Sequence, residues 1–149
     1  MPYRIKYIVV AVFISVNITS YSQQILSEFD TLRVDNCVIL NSVKFKKETL
    51  MLSPDGVATL DRLVRYLMDN TKTKIKVTVH TAELGSKSAN FDLSLQRANN
   101  VANYLSKQGI KERRIKYYGY GQYLPLVSSK TPNSTVINSR IEISVYKKT

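Results

Sequence analysis

Few residues in this chain are of types that carry chemistry. Cys37 and His80 are its only cysteine and its only histidine. Together they form the one nucleophile–base candidate, and no acid is placed to orient the imidazole. As a metal ligand His80 would need partners, and no second His or Cys lies near it in sequence. A structural hydrogen bond at the end of a strand is the expectation for it instead. Neither a Gly-rich phosphate loop nor a paired-carboxylate motif is evident. No catalytic residue, metal or cofactor is therefore expected. The polar side chains gather in one stretch, His80 to Arg97, H-T-A-E-L-G-S-K-S-A-N-F-D-L-S-L-Q-R. Arg97 is its principal cation. A planar guanidinium can bind both oxygens of a carboxylate at once. That carboxylate can belong to a ligand, or to Glu83 or Asp92 of the chain itself.

The stretch resembles the ligand loop and second helix of the OmpA-like peptidoglycan-binding domain. That family reads G-H-T-D-x-x-G, then Asn, then L-S-x-x-R-A. Gly85, Asn90, Leu93, Ser94, Arg97 and Ala98 fall in register with it. Two later segments are also similar. Gly119-Tyr120-Gly121 with Pro125 matches a G-Y-G-x-x-x-P turn, and Asn138-Ser139-Arg140-Ile141-Glu142-Ile143 matches N-R-R-V-E-I. Each piece is weak alone; the set is specific in this order and spacing. The resemblance runs from about Val38 to Val145. It departs at two positions: Ala82 stands where the family has Asp, and Ser139 where it has the first Arg.

The resemblance implies a receptor for the free end of meso-diaminopimelate in peptidoglycan stems, which carries an ammonium and a carboxylate. Arg97 takes the carboxylate in this picture, and the ammonium belongs to the acid missing at Ala82. Thr81, Asn90 and Leu93 are candidates for supporting roles. Glu83 is the alternative anion, although adjacent side chains on a strand-to-loop bend usually diverge. The pattern around Arg97 favours a ligand role and a place at the surface. For Arg140 a structural role and a binding role stand side by side. Loss of one charged hydrogen bond, about 1.5–3 kcal/mol, implies binding weakened by about tenfold to a hundredfold. The rival reading is a degenerate OmpA-like module that binds envelope or outer-membrane proteins.

The elements that must position these residues are legible in the hydrophobic pattern. Val38 to Phe45 is rich in strand formers. Ser53-Pro54-Asp55 opens a helix with a good cap, a first-turn Pro and an acid suited to the dipole. Leu60, Leu63, Val64, Leu67 and Met68 follow on one face, and Asn70 and Thr71 end it. Lys74 to His80 alternates, with Ile75, Val77 and Val79 on one side. A loop runs through Gly85. Leu93 to Lys107 returns to helical period, with Leu93, Val101, Ala102 and Leu105 inward and Gln108-Gly109 as the stop. Arg114 to Tyr120 reads as a third strand, and Ile137 to Tyr146 contains a fourth. Tyr117, Tyr118, Tyr120 and Tyr123 read as core and turn packing rather than a sugar platform. The order β-α-β-α-β-β predicts an α/β (α+β) two-layer sandwich, with helices on one face of a mixed sheet. The OmpA-like domain has this fold.

Residues 1–22 read as an export signal: Arg4 and Lys6, the apolar run Tyr7 to Val16, and Ser20-Tyr21-Ser22 before a cleavage site. The run is too short for a permanent span, and no Cys follows it to carry a lipid. Residues 23–37 are a short lead-in and 38–149 the OmpA-like domain. In an exported chain a lone thiol is buried or paired between chains, and the apolar Val38-Ile39-Leu40 favour burial of Cys37. The 149-residue chain has 22 Lys and Arg against 11 Asp and Glu, a formal charge of +11. Removing residues 1–22 takes away Arg4 and Lys6 and no acid, so a strong positive balance remains. It suits an anionic polymer. Export favours the cell wall in the periplasm, with possible outer-membrane association, over nucleic acid, and leaves no integral membrane segment after cleavage. Intact-mass measurement on protein from the native envelope should find an N-terminus at or near Gln23; a full-length chain held in the membrane fraction would contradict this.

Overall fold

The computed structural model describes Phe29, Leu32 and residues 37–147, without the Lys147 side chain. The expected signal and nearly all of the lead-in lie outside these residues.

Strand β1 is Cys37–Ile39, helix α1 Pro54–Asp69, strand β2 Lys74–His80 and helix α2 Lys87–Lys107. A 3-10 turn, Glu112–Arg114, leads into β3, Ile115–Gly121; a short helix α3, Ser134–Asn138, precedes β4, Arg140–Lys147. The sheet order is β1-β4-β2-β3. β2 and β3 are parallel, and β4 runs antiparallel to both β1 and β2. Sheet and helices make the expected mixed α+β sandwich.

One face of the sheet is apolar because its strands alternate in step. Val79 pairs with Ile141, Val77 with Ile143 and Ile75 with Val145. All six side chains are buried. The helices supply Leu60, Leu63, Leu67, Val101 and Leu105, each fully buried. Helix α1 starts as its sequence indicates: Ser53 Oγ accepts the Gly56 N–H at 3.1 Å, with Pro54 in the first turn. Met68, expected in its apolar stripe, is 50% exposed. It lies one step beyond the i, i+3, i+4, i+7 set formed by Leu60, Leu63, Val64 and Leu67.

Several boundaries differ from the sequence pattern. The first strand is three residues long, because Asn41-Ser42 turn the chain. Val43 donates to the Leu40 carbonyl at 3.2 Å, and both Leu40 and Val43 enter the core. Phe45 makes only an isolated bridge to Leu52. Helix α2 begins well before Leu93, because Ser86 caps it by accepting the Ala89 N–H at 3.1 Å. Arg114 closes a 3-10 turn instead of opening the strand, and α3 was not expected from the sequence. Cys37 is exposed, contrary to expectation. β1 is an edge strand, and in its register Cys37 faces Ser144 while Val38 sits opposite the core residue Ile143.

The other sheet face is polar and aromatic. It carries Lys76, Lys116, Tyr118, Ser144 and Tyr146, with Lys116 Nζ 4.6 Å from the Tyr146 ring centroid. Tyr117, Tyr118 and Tyr123 are exposed, so the expected core packing of these tyrosines does not hold. Tyr118 and Tyr120 stack on each other, 6.5 Å between centroids, on the face away from the helices.

Helix α2 lies against β3 at very short range. A Cβ on Gly119 would come within 2.2 Å of the Leu95 backbone nitrogen, and one on Gly121 within 2.6 Å of the Phe91 nitrogen. Gly121 also has φ +49°. Ser94 fixes the seam by accepting the Gly121 N–H at 2.8 Å while donating to the Phe91 carbonyl at 2.7 Å. Gly119→Ala should therefore lower stability by about 1–3 kcal/mol or more, since backbone must move. Gly85→Ala, with nothing within 4 Å of the added carbon, should be close to neutral. Urea unfolding of the two variants checks the contrast.

Candidate functional site

The sequence places Arg97 on the inner side of α2, two turns beyond the Asn90 that anchors its start. The close approach at Gly119 and Gly121 sets that side under the end of β2. Arg97 is 2% exposed, not at the surface as expected. Its guanidinium has five N–H donors, and the structure gives five bonds. Nη1 donates to Glu83 Oε1 at 2.6 Å and Nη2 to Glu83 Oε2 at 3.0 Å, a two-pronged ion pair. Nε donates to the Thr49 carbonyl at 2.9 Å, Nη2 to the Lys46 carbonyl at 3.3 Å and Nη1 to Thr81 Oγ1 at 3.5 Å. The Phe45 ring covers its flat face, 4.7 Å from Cζ to the centroid.

Glu83 thus turns toward Arg97, where divergence of neighbouring side chains had been expected. It also accepts the Glu48 N–H at 3.0 Å. Burial alone would push the Glu83 carboxyl up, but the hydrogen bonds from Arg97 and Glu48 and the charges of Arg97 and Lys47 outweigh it. The result lies below the usual carboxylate range. Asp92, the other proposed acid, has no part in this cluster.

The supporting residues hold the loop. Asn90 is fully buried. Its Oδ1 accepts the Leu84 N–H at 2.9 Å, and Nδ2 donates to the Leu84 and Ser86 carbonyls and to Gln122 Oε1. Thr81 is fully buried, with its N–H on the Gly121 carbonyl at 3.0 Å, and Leu93 is core. These three shape the loop from within and present no free polar group outward. Ala82 donates its N–H to Ser139 Oγ at 3.2 Å. Ala82 and Ser139, where the sequence resemblance was expected to lapse, are therefore neighbours in space.

Arg140 lies on the same rim. Its Nε donates to Glu142 Oε1 at 2.7 Å, and its other nitrogens to the Asn138 and Leu124 carbonyls. His80, Glu83, Arg97, Ser139 and Arg140 line one small hollow of about 60 Å³, room for a few waters. His80 is buried, and neither ring nitrogen has a hydrogen-bond partner. Glu142 Oε2 stands 3.6 Å from Nε2, too long for a hydrogen bond, so the expected structural bond is not made. The imidazole instead stacks on Tyr120, 5.6 Å between centroids. Burial first, then the Arg140 charge, lower its pKa, so it is neutral at pH 7. Partial desolvation of the sulfur against the sheet edge and the neighbouring Glu142 carboxylate push the Cys37 thiol up to about 11, although the residue as a whole is exposed. The thiol is protonated at neutral pH. Among the described residues no group of three His, Cys, Asp or Glu is placed to hold a metal. No helix among them is long and apolar enough to cross a membrane.

Sequence reasoning missed the carbonyls of Lys46 and Thr49, the Phe45 ring and the role of Ser94. Of these, Ser94 alone carried a signal, through the L-S-x-x-R pattern.

Arg97→Ala should destabilise the domain by about 3–5 kcal/mol, because it leaves the Glu83 carboxylate without its cation and the Thr49 carbonyl without its donor. The Glu83 ion pair adds a pH dependence. A carboxyl whose native pKa lies below its unfolded value, near 4.3, contributes stability above that pH and loses it as pH falls through the native pKa. The urea midpoint of the wild type should therefore drop more steeply below about pH 4.3 than that of Glu83→Gln. Parallel curves would show that the pair contributes little.

Comparison with known proteins agrees with this fold and these motifs. A model of the OmpA family matches residues 44–139. The probable lipoprotein YiaD of Escherichia coli is 34% identical over 105 residues, covering 70% of this chain and 48% of that protein. The peptidoglycan-binding protein ArfA of Mycobacterium tuberculosis is 31% identical over 110 residues, covering 74% of this chain and 34% of that protein. The chain thus spans about half or less of the length of these relatives. Among solved structures, a MotB-like protein from Desulfovibrio vulgaris superposes with TM-score 0.66 at 23% identity, covering 76% of this chain and 73% of that one. The peptidoglycan-associated lipoprotein from Burkholderia pseudomallei gives 0.63 at 22% identity, covering 69% and 87%. With the family model matched across β2, α2 and β3 and into the Asn138-Ser139 segment, the chain belongs to the OmpA family.

Proposed function

We propose that this protein associates non-covalently with peptidoglycan in the cell envelope, through the diaminopimelate end of a stem peptide at the Arg97 hollow. The observation that carries the reading is the placement of Glu83, Arg97 and Arg140 around one hollow under the β2–α2 loop. Both charge signs that a zwitterion needs are present there. ArfA and the Burkholderia lipoprotein, named for peptidoglycan, support it. The site acts by exchange. All five Arg97 donors are engaged, so a ligand carboxylate must displace Glu83, and the released Glu83 then meets the ligand ammonium. Displacing an internal ion pair offsets part of the gain, and Ala82 offers no carboxylate of its own. Binding is therefore weaker than a site with an acid at position 82 would give. Export on residues 1–22 places the protein in the periplasm, and the proposed role is structural rather than enzymatic.

A second reading has two observations in its favour. The saturated Arg97 and the paired departures at Ala82 and Ser139 suit an OmpA-like module that binds an envelope protein instead. Sedimentation with purified sacculi separates the two. Wild type should bind weakly, and Ala82→Asp should bind about tenfold more tightly by adding a charged hydrogen bond. Diaminopimelate-type stem peptide should compete at moderate salt, and lysine-type peptide, which lacks the second carboxylate, should compete less. Equal competition by both peptides, or complete loss of binding at physiological salt, would point to non-specific charge attraction and to the protein-binding module.

A further inference from the structure

A second cavity lies at the opposite end of the sheet. It has a volume of about 750 Å³. Its walls come from the end of α1, the start of β2 and the turn between α2 and β3. Lys72, Lys74, Lys111, Arg113 and Arg114 line it. Lys74 and His80 are the two ends of β2, so this cavity is about 20 Å from the Arg97 hollow at strand rise. The two are separate sites.

None of the three lysines, nor Arg113, has a carboxylate partner among the described residues. Glu112, the acid within the turn, faces a different hollow beside Asn99, Ala102 and Asn103. The floor is built. Arg114 is 9% exposed and fixed in place. Its Nε donates to the Thr73 carbonyl at 2.9 Å, and Nη2 to the Leu67 and Asn70 carbonyls at 2.8 and 2.9 Å. These bonds hold the guanidinium at the C-terminal end of α1 and leave Nη1 without an acceptor among the described residues. Gly109, with φ +96°, turns the chain sharply so that Lys111 and Arg113 follow on the rim.

We propose that this cavity binds a phosphate-bearing anion. Five cations with no acid among the described lining residues concentrate positive charge, which one carboxylate would reduce by a single unit. Each phosphoryl group brings up to two charges and several strong acceptors. The Arg113 fork suits a pair of phosphate oxygens, Arg114 offers its Nη1 donors, and the lysines act as point charges. The volume falls in the range of small-molecule sites and exceeds what one phosphate fills. An oligophosphate and a phosphorylated lipid headgroup share this chemistry.

The test is a titration of the purified protein at physiological salt, followed by the amide resonances of residues 71–74 and 109–114. Sodium tripolyphosphate is the soluble probe; phosphatidylcholine vesicles with and without phosphatidylglycerol are the headgroup probe, read by co-sedimentation. The double variant Lys72→Ala/Lys111→Ala keeps Arg114 in place, and its urea midpoint verifies folding. It should weaken binding by about tenfold or more, while Lys87→Ala/Lys130→Ala should leave binding unchanged. Tripolyphosphate binding with that dependence supports the site and a soluble ligand. Binding only to phosphatidylglycerol vesicles with the same dependence supports the site and a headgroup. Equal loss in both double variants, equally tight binding of citrate, or no binding of either probe would overturn the proposal.

Discussion

The site is organised by the need to satisfy a buried guanidinium. Arg97 carries a permanent charge and five donors into a place almost closed to water. A group of that kind is tolerated only where acceptors surround it. Two loop carbonyls, one hydroxyl and one carboxylate meet it here. The segment from Lys46 to Thr49 and the loop after His80 are separate in sequence, and the guanidinium ties them together. Loop conformation and helix position are thus coupled through one side chain.

Placing that side chain depends on the absence of others. Gly119 and Gly121 let α2 approach β3 until backbone nearly touches backbone. Ser94 then bonds across the seam. Any larger residue at either glycine would push α2 outward and carry Arg97 away from the carbonyls it serves. The bulge between Val79 and His80, where His80 pairs with Gly121 and passes over Tyr120, belongs to the same arrangement. It leaves Tyr120 free to stack on the imidazole.

The fold was largely legible in the sequence because its cues are local. The Ser53-Pro54 cap, the alternation of Lys74–His80 and the Gly109 stop each depend on neighbours within a few residues. The family motifs also singled out residues that the fold brings near one hollow: Glu83, Arg97 and Arg140 line it, and Thr81 bonds to Arg97. Their physical state was not legible. Nothing near Arg97 in sequence reveals the carbonyls of Lys46 and Thr49, so its burial and its pairing with Glu83 were hidden. Cys37 looked buried because apolar residues follow it, yet strand parity and an edge position expose it. The tyrosines of β3 look like core residues by type, and sheet parity turns Tyr118 outward. Short elements such as α3 carry too little pattern to be read.

The sheet order has a consequence for how the chain can fold. β4 is last in sequence but sits between β1 and β2. A chain that has emerged only through β3 has one parallel strand pair, and β1 has nothing to bond with. Half of the apolar sheet face, Ile141, Ile143 and Val145, is still missing at that stage. Formation of the core therefore waits for the final strand, and the high sequence separation of its pairings makes that step slow. A domain wired in this way stays open, its apolar sheet face half built, until β4 slots in between β1 and β2.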